Sequence, residues 1–387
     1  MASVPLSREI AEQAGVSGSI ARQQTAAHDW RKFSVGDNLD AWRRLASEAC
    51  EPNPFHESWY LLPSLENFDH TGSCRLFTTS AGNQLTGLLP VGYSHRYSRY
   101  PIPHLANWQH PNMFCSVPLV RKGHEEAFWQ GLLDWADANA RAALFLHLTD
   151  LPADGPLFAA LQAVIARQGR PAAVVMDEER AMLQSDLSPE DYFASSMSTK
   201  KRKELRRQAK RLGEEGELAF TRQSDASELG QWIDEFLALE KAGWKGEQGS
   251  ALACDTRTST LFRNALAGAA EAGKLERLVL RLDGKPIAML VNFLTVPGAY
   301  SFKTAFDEAW SRYSPGVLIQ RENLDLLARN DIAWCDSCAA ADHPMIERIW
   351  REKRRIVRVS IAIGGPVRRM IFRQLARRET GAPAKGL

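Results

Sequence analysis

The sequence predicts an α/β protein with mixed β-sheets, divided into two domains. Its 387 residues are more than a single core of ordinary size organises. In the second half, helical and strand patterns follow in the order β-α-α-β-β-β-α-β-α-β. Residues 75–91 and 277–293 both have the pattern of a strand, a turn with glycine and a second strand, and they match at Arg, Leu, Gly and Leu. This echo suggests two copies of one fold.

The first half begins with small and polar residues over 1–27, which predict a flexible N-terminal arm. A helical pattern follows near 37–50, then a hairpin (CRLFTT, SAGNQ, LTGLLPVGY), and then a loop region over 93–118 that is rich in proline, histidine and aromatic residues. Helix HEEAFWQGLLDWADAN, strand ALFLHL, helix GPLFAALQAVIARQG and strand AAVVM complete the pattern. These elements predict an α/β domain over residues 28–185.

A second domain is predicted over residues 186–363, because LQSDLSPEDYF resets the pattern with the signals of a helix start. Its predicted helices are 198–215, 227–242, 257–272, 315–329 and a short one near 344–353. Its predicted strands are 218–223, 276–282, 285–296, 299–306, 332–336 and 355–363. Residues 364–387 then form a basic amphipathic helix, over 367–378, and a tail.

Composition excludes several classes of protein. A content of 44% hydrophobic and 24% charged residues is that of a globular protein, so disorder is excluded as the main state. The six cysteines are scattered and lack the density of a disulfide scaffold. The N-terminal residues lack the apolar segment of a signal peptide, and no charge-free apolar run approaches the length of a membrane span. These features predict a cytoplasmic protein, with peripheral contact to the inner face of a membrane left open.

Positive charge is concentrated near the end of the chain. Residues 351–378 contain ten Lys or Arg and one acid, although the net charge of the whole chain is only +2. Such asymmetry is typical either of a solvated basic segment or of contact with a polyanion or an anionic membrane. The last predicted helix places Val367, Met370, Ile371 and Leu375 on one side, which either docks on its own domain or lies on a membrane.

The segment FKTAFDEAWSRYSPGVLI, residues 302–319, leads from a strand through a polar stretch into a helix. Ser314 is predicted as the N-cap, and Pro315 suits the first helical position because it has no N–H to leave unsatisfied. Gly316 follows, and its missing side chain lets a ligand approach the N–H groups of residues 316–318. Because the helix dipole favours an anion there, a phosphate-bearing ligand fits this junction, although a well-capped helix start explains the same residues.

The second half resembles the GNAT acyltransferases. More specifically, residues from about 195 to 355 are similar to the acetyltransferases linked to cellulose and exopolysaccharide biosynthesis, the CelD/BcsL type. Four segments carry the resemblance in the family's order: STKKRKELRRQAKRLGEEGEL, LEKAGWKGEQGSAL, LVLRLDGKPIAMLVNF and YSFKTAFDEAWSRYSPGVLI. The resemblance implies acyl transfer from acetyl-CoA or another acyl-CoA, in a tandem arrangement like that of the Fem-type aminoacyl transferases, with a degenerate first GNAT-like domain.

The resemblance implies that the loop and helix after the central strand hold the pyrophosphate of coenzyme A. The cofactor-binding residues are then Lys303, Arg312, Ser314, Pro315, Gly316 and Val317. Acyl transfer to an amine or hydroxyl also needs a base and an acid for the leaving thiolate. Asp336 and His343 are the candidate bases and Tyr313 is the candidate acid, although each also fits an ordinary cap or packing role.

Four residues are candidates for contact with the acceptor. Trp244 and Lys245 close a predicted helix where they line a pocket or seal the core. Arg202 and Arg206 belong to the run 200–211, which has eight basic residues and one acid. This run lacks the interleaved aromatic residues of a nucleic-acid footprint, so nucleic acid is not the expected partner. A small-molecule or sugar-linked acceptor with phosphate groups suits it better.

Two other functions stay open. The donor could be an aminoacyl-tRNA, as in Fem-type enzymes, or the chain could be a non-catalytic GNAT-like module that binds a polyanion. Metal binding is not predicted, because Cys335, Cys338 and His343 have no fourth ligand near them in the sequence. The oligomeric state and the acceptor are not predicted.

Overall fold

The computed structural model describes residues 23–387. Its strands, in chain order, are β1 (Gln23–Asp29), β2 (Arg75–Ala81), β3 (Gln84–Ser94), β4 (His104–Asn107), β5 (Leu119–Val120), β6 (Phe145–Pro152), β7 (Ala172–Leu183), β8 (Leu218–Gln223), β9 (Leu275–Leu282), β10 (Lys285–Thr295), β11 (Gly298–Phe306), β12 (Trp334–Asp336) and β13 (Glu352–Ala362). Its helices are α1 (Trp30–Phe33), α2 (Asp37–Ser47), α3 (Ser58–Phe68), α4 (Glu125–Ala138), α5 (Pro156–Arg167), α6 (Pro189–Ser196), α7 (Thr199–Glu214), α8 (Leu229–Ala242), α9 (Trp244–Glu247), α10 (Thr256–Glu271), α11 (Pro315–Glu322) and α12 (Pro366–Thr380).

The described strands form one mixed sheet. Its order is β1-β2-β3-β4-β6-β13-β7-β12-β11-β10-β9-β8, and β5 pairs with β3 at the side. Two pairs in this path, β4 with β6 and β11 with β12, are parallel, and the others are antiparallel. The sheet therefore contains two places where parallel strands meet, and each lies in the middle of one half.

The two halves of the sheet repeat the same arrangement. The first set is β1, β2, β3, β4, β6 and β13, and the second is β8, β9, β10, β11, β12 and β7. In both sets the first three pairs of neighbouring strands are antiparallel, the fourth pair is parallel and the fifth is antiparallel. The suggestion of two copies of one fold, made from residues 75–91 and 277–293, is confirmed by this repeat.

The sixth strand of each set is exchanged between the copies. β7 follows β6 in the chain, yet it pairs with β12 of the second copy. β13 follows β12, yet it pairs with β6 of the first copy. β7 and β13 also pair with each other over most of their length and so join the two sets. The division at residue 185, predicted from the sequence, therefore does not separate two independent sheets.

Aromatic side chains from both copies pack together beneath β11. The ring centroid of Phe55 lies 5.7 Å from that of Tyr300, 6.1 Å from that of Phe302 and 6.5 Å from that of Phe293. Tyr300 also donates a hydrogen bond to the carbonyl of Pro52 at 2.8 Å. Such aromatic contacts are worth about 0.5–1.5 kcal/mol each beyond their buried area. They fix the central strand of the second copy against the loops of the first.

Three predicted elements differ from the structure. Residues 23–27, predicted as part of the arm, form most of β1 because their backbone pairs with β2, and residues 1–22 of that arm lie outside the described residues. The helix near 344–353 is wrong, because the chain turns there and β13 begins at Glu352. The helix over 315–329 is α11 followed by a 3₁₀ turn over Asn323–Ala328. Among residues 23–387, no helix is both long and apolar enough to span a membrane.

Candidate functional site

A gap opens between the parallel strands β11 and β12. The two strands pair only where Gly298–Tyr300 faces Trp334–Asp336. Beyond that point β11 continues to Phe306, whereas the chain after Asp336 turns away. The register between β11 and β10 also shifts after Ser301, which leaves Phe302 as an extra residue in β11. A bulge of this kind bends the strand, so β11 and β12 diverge at their carboxyl ends.

The gap leads into a cavity of about 740 Å³. Its walls come from β11, the start of α11, the segment after β12, the short helix α9 and one loop of the first copy. The lining side chains that bear on function are Phe114, Trp244, Lys245, Ser301, Phe302, Lys303, Phe306, Ser314, Pro315, Gly316, Val317, Cys338, Ala340, His343, Met345 and Arg348. The structure thus brings together eight of the predicted site residues: Trp244, Lys245, Lys303, Ser314, Pro315, Gly316, Val317 and His343.

The cavity is cationic. Lys245, Lys303 and Arg348 line it together with His343, and no Asp or Glu is among its lining residues in the described chain. One carboxylate outside the lining neutralises part of this charge, because Oε1 of the buried Glu240 lies 2.8 Å from Lys245 Nζ. The remaining positive charge makes the cavity suited to an anionic ligand.

Lys303 places its ammonium against two aromatic rings in the wall of the cavity. Its ammonium is 5.1 Å from the ring centroid of Phe114 and 5.6 Å from that of Phe302. Burial, with a smaller contribution from the positive charge of Lys245, lowers the pKa of Lys303 to about 8. The lysine is therefore mostly protonated at neutral pH, and an anion beside it would hold its proton more firmly.

His343 is the candidate base that faces the cavity. Burial lowers its pKa below the usual 6.5, and the charge of Lys245 adds to this effect. Its buried Nδ1 has no hydrogen-bond partner within the described chain. The imidazole is therefore neutral at pH 7 and can accept a proton from a bound group.

The start of α11 differs in detail from the prediction. Ser314 adopts the left-handed conformation, with φ of 57°, and its side chain does not cap the helix. Its carbonyl instead accepts hydrogen bonds from the N–H groups of Val317 and Leu318, at 2.9 and 3.0 Å. Of the three N–H groups expected to be free, only that of Gly316 lacks a backbone acceptor in the described chain.

Gly316 is needed for close packing at this junction. A Cβ atom there would lie 2.6 Å from Sδ of Met345 and 3.0 Å from Cδ1 of Phe306. The missing side chain thus lets the segment after β12 close over the helix start. Ser301 adds a second unsatisfied group, because its buried Oγ has no partner among the described residues. Both unsatisfied groups belong to residues that line the cavity.

Asp336 is not placed to act as a base. Its side chain is fully buried between strands, where Oδ2 accepts from Arg180 at 2.6 Å and from Arg354 at 3.1 Å. Oδ1 accepts the N–H of Cys338 at 2.9 Å. Although burial alone would raise the pKa of Asp336, the charges of the two arginines hold it below its usual range. A carboxylate with such partners has no free lone pair aimed at the cavity.

Tyr313 and Arg312 also point away from the cavity. The hydroxyl of Tyr313 donates to Oε1 of Glu215, and that hydrogen bond raises the pKa of Tyr313. Arg312 donates to the same oxygen at 2.9 Å. The predicted acid and the predicted phosphate ligand are therefore both engaged with the residue that follows α7.

Arg202 and Arg206 lie on α7 and do not line the cavity. Arg202 donates to Thr199 of its own helix at 3.2 Å, and Arg206 is exposed. Cys335 and Cys338 are free buried thiols, and the described residues contain no cluster of three metal-ligating side chains. These residues do not form part of the site.

Sequence reasoning missed several residues of the cavity wall, among them Phe114, Ser301, Met345 and Arg348. Ser301 could have been found, because it is two residues from Lys303 on the strand that carries the site. Phe114 reaches the cavity from the other copy, and no local pattern in the sequence indicates such a contact. Met345 and Arg348 were assigned to a helix that does not form.

The gap and the helix start both belong to the second copy of the fold. Residues 199–354 match the family model described as acetyltransferase (GNAT) domain. The match begins with α7 and ends within β13, so it includes the gap between β11 and β12 and the whole of α11. No curated protein sequence matches the chain. The narrower CelD/BcsL type therefore stays a prediction.

Solved structures agree on the fold. A crystal structure of FemX covers 88% of this chain and 98% of its own, with a TM-score of 0.56 and 12% identity. A conserved protein of unknown function from Bacteroides thetaiotaomicron covers 88% of this chain and 100% of its own, with a TM-score of 0.52 and 11% identity. A tandem GNAT protein from the clavulanic acid biosynthesis pathway is also similar, with a TM-score of 0.42 and 15% identity, over 89% of this chain and 99% of its own. The predicted α/β fold of the GNAT type, with a mixed sheet, is confirmed.

The first copy lacks the features that make the second one a site. Its parallel strands β4 and β6 also separate, but Oδ1 of Asn107 accepts the N–H of Thr149 at 2.8 Å and closes the space between them. The corresponding helix, α4, begins with Glu125 and Glu126, and His124 gives it no side-chain cap. Two acids at a helix start disfavour an anion. The first copy is therefore degenerate as an anion site.

Proposed function

We propose that this protein is an acyltransferase of the GNAT type that takes its acyl group from acetyl-CoA or a related acyl-CoA. The observation that carries the proposal is the cationic cavity at the gap between β11 and β12, which also contains the start of α11. An acyl-CoA combines a polyanionic end with a narrow chain and a thioester. The gap suits the chain, and the cationic wall suits the phosphates.

The residues present fit this co-substrate. The N–H of Gly316 and the side chain of Arg348 are placed to hold phosphate, whereas Ser301 and Lys303 lie on the strand that borders the gap. The buried Oγ of Ser301 has no partner in the described chain, as expected for a group that completes its hydrogen bonds with a ligand. When bound, the acyl-CoA supplies an activated acyl group on sulfur.

The side chains of the cavity divide the chemistry between them. Neutral His343, which lines the cavity, accepts the proton of the attacking amine or hydroxyl. Protonated Lys303 stabilises the negative charge that develops on the reacting carbonyl oxygen or the leaving sulfur. The aromatic rings of Phe114 and Phe302 keep water from the Lys303 ammonium, which strengthens that interaction.

The acceptor is proposed to be an amine or hydroxyl of a small molecule or a sugar-linked compound, with polysaccharide biosynthesis as the process. Trp244, 47% exposed, and Lys245 also line the cavity. An exposed aromatic ring next to a lysine suits a sugar that carries phosphate. The same two residues then select the acceptor.

A Fem-like aminoacyl-tRNA donor is the second candidate, and one observation favours it. Most of the basic residues of α7 are exposed, and the helix packs on the 3₁₀ turn that leads into α11. A polyanion bound along α7 would therefore approach the same cavity. Its binding would weaken steeply as salt rises, whereas the cavity would hold acetyl-CoA over a wider range of salt.

Calorimetric titration of acetyl-CoA into the full-length protein tests the proposal. The test variant is Ala340→Trp, because Ala340 lines the cavity and is exposed, so a large side chain fills the cavity mouth without disturbing the core. The matched control is Ala219→Trp on the edge strand β8, where the side chain is equally exposed. We expect saturable binding by the wild type and the control, and loss of binding by Ala340→Trp.

Failure of the folded wild type to bind acetyl-CoA would reject the acyl-CoA reading. Binding of tRNA with a steep salt dependence would then favour the second candidate, and binding of any polyanion alike would favour the non-catalytic module. If acetyl-CoA binds, the next experiment measures the transfer of a labelled acetyl group from acetyl-CoA to the compounds of a small-molecule extract. His343→Gln should bind acetyl-CoA normally and lose on the order of 10² in transfer rate.

A further inference from the structure

The C-terminal helix α12 docks on the protein with one face and exposes apolar side chains on the other. Phe372 and Ala376 are buried, and the ring of Phe372 lies 5.9 Å from that of Phe145. Val367 and Met370 are 66% and 57% exposed, and Ile371 is 37% exposed. The sequence predicted that the side with Val367, Met370 and Ile371 either docks on its own domain or lies on a membrane, and in the structure the helix docks through Phe372 and Ala376 and leaves that side exposed.

The exposed face of α12 is also basic. Arg373, Arg377 and Arg378 are exposed toward its C-terminal end. The acid of this helix is Glu379, whose Oε1 accepts a hydrogen bond from the hydroxyl of Tyr97 at 2.7 Å. The outward face therefore runs from an apolar end to a basic end, where three arginines outnumber the one exposed carboxylate.

The loop over residues 94–103 extends this surface. Tyr97 joins the loop to α12 through Glu379 and packs its ring 5.1 Å from Phe145. Arg96 and Arg99 are exposed beside it, and the guanidinium carbon of Arg99 lies 5.1 Å from the ring centroid of Tyr100, which is 50% exposed. We name the combined surface the α12 patch: Arg96, Arg99, Tyr100, Val367, Met370, Ile371, Arg373, Arg377 and Arg378.

We propose that the α12 patch binds the surface of a bilayer that contains anionic phospholipid. Aliphatic side chains at helical spacing insert among the acyl chains, and arginines bind the lipid phosphates. An exposed tyrosine is favoured at the level of the headgroups. A second copy of this chain is a poor occupant because two such patches repel. A nucleic acid is a poor occupant because aliphatic side chains give its bases nothing to stack on. The proposal does not depend on the activity of the cavity.

Flotation of the full-length protein with vesicles tests this proposal. The vesicles are phosphatidylcholine alone or phosphatidylcholine with phosphatidylglycerol. We expect binding to the anionic vesicles only, and each arginine removed, as in Arg377→Gln with Arg378→Gln, should lower the partition coefficient about fivefold. Met370→Glu with Ile371→Glu should lower it on the order of tenfold or more. The control is Leu187→Glu, which changes a 44% exposed leucine far from α12 in the sequence.

Thermal unfolding of each variant shows whether it is folded, and Met370 and Ile371 are exposed enough for both changes to be tolerated. The proposal is overturned if the wild type does not float with anionic vesicles, or if Met370→Glu with Ile371→Glu binds them as the wild type does. Equal loss with Leu187→Glu also overturns it. Tight binding to soluble polyglutamate that survives the glutamate changes would assign the patch to an acidic protein instead.

Discussion

The surroundings of Lys303 indicate that the cavity favours an anionic ligand. Burial and the nearby positive charge of Lys245 destabilise the Lys303 cation, although the rings of Phe114 and Phe302 attract it. The protein maintains this arrangement with aromatic residues from both copies, since Phe114 belongs to the first and Phe302 to the second. An anionic ligand would relieve the unfavourable charge, and relief of this kind is how a preformed site gains affinity.

Acetyl-CoA affinity should therefore depend on pH through Lys303. With a pKa of about 8, the free protein loses this charge as pH rises through that value, so the association constant should fall about tenfold or more between pH 7 and pH 9. Titration calorimetry across this range measures the fall. In buffers of different ionisation enthalpy, the same titrations should show that protein takes up protons when acetyl-CoA binds near pH 8.

The variant Lys303→Arg separates this cause from other titrations. Its guanidinium stays charged throughout, so the alkaline loss of affinity should disappear. Lys303→Met should bind weakly at every pH. An alkaline loss that persists unchanged in Lys303→Arg would assign it to another group.

Asp336 is a structural residue in the same neighbourhood, and its removal should destabilise the protein. Asp336→Asn leaves Arg180 as a buried charge without a carboxylate and leaves Arg354 only Asp154, 3.8 Å from its Nε. This change is expected to lower the free energy of unfolding by about 3–5 kcal/mol. Asp177→Asn removes an exposed pair with Arg355 between the same strands, β7 and β13, and should lower it by about 0–1 kcal/mol. Urea denaturation followed by tryptophan fluorescence compares the two. Equal effects would show that Asp336 is not a buried ion-pair partner.

At the scale of elements, the local sequence pattern predicted the start of α11 but not the contacts of the residues around it. Pro315 begins α11 as the sequence predicts, because its fixed φ and missing N–H suit that position. Asp336 was a wrong choice of base because its partner Arg180 is 156 residues away, and only pairing of β7 with β12 brings the two together. Residues 344–353 after β12 were predicted as a helix. In the structure Met345 of this segment packs against Gly316, a contact between distant residues that the local sequence pattern does not show.

The contrast between the two corresponding helices predicts one binding site per chain. α11 begins with Pro315 and Gly316 and has no acid in its first turn, whereas α4 begins with two glutamates. Acetyl-CoA should therefore bind with a stoichiometry of one, and Glu125→Gln with Glu126→Gln should leave both stoichiometry and affinity unchanged. Calorimetry and mass spectrometry of the intact complex measure this. A stoichiometry of two would mean that the first copy also binds.

At the scale of the whole molecule, the sequence predicted two copies but not how they are joined. The hairpins at residues 75–91 and 277–293 are local, so their turn residues identify them. Exchange of β7 and β13 is a pairing between strands far apart in the chain, and each strand would be equally regular if it paired with its own copy. Nothing in the local pattern distinguishes the two arrangements. The exchange does explain why no boundary near residue 185 divides the sheet.

This exchange predicts that neither half folds alone. A fragment of residues 1–185 keeps β7 but lacks β12 and β13, so β7 loses both of its partners and β6 keeps only β4. A fragment of residues 186–387 keeps β13 but lacks both β6 and β7. Unpaired strands of this kind aggregate, so each fragment expressed alone should be insoluble or should unfold without cooperativity. Expressed together, the fragments should form a one-to-one complex that binds acetyl-CoA as the intact chain does. Cleavage of the intact protein at a protease site placed between Leu183 and Pro189 should likewise leave the two pieces associated through gel filtration. A fragment that is monomeric and unfolds cooperatively by itself would show that β7 and β13 can return to their own copies.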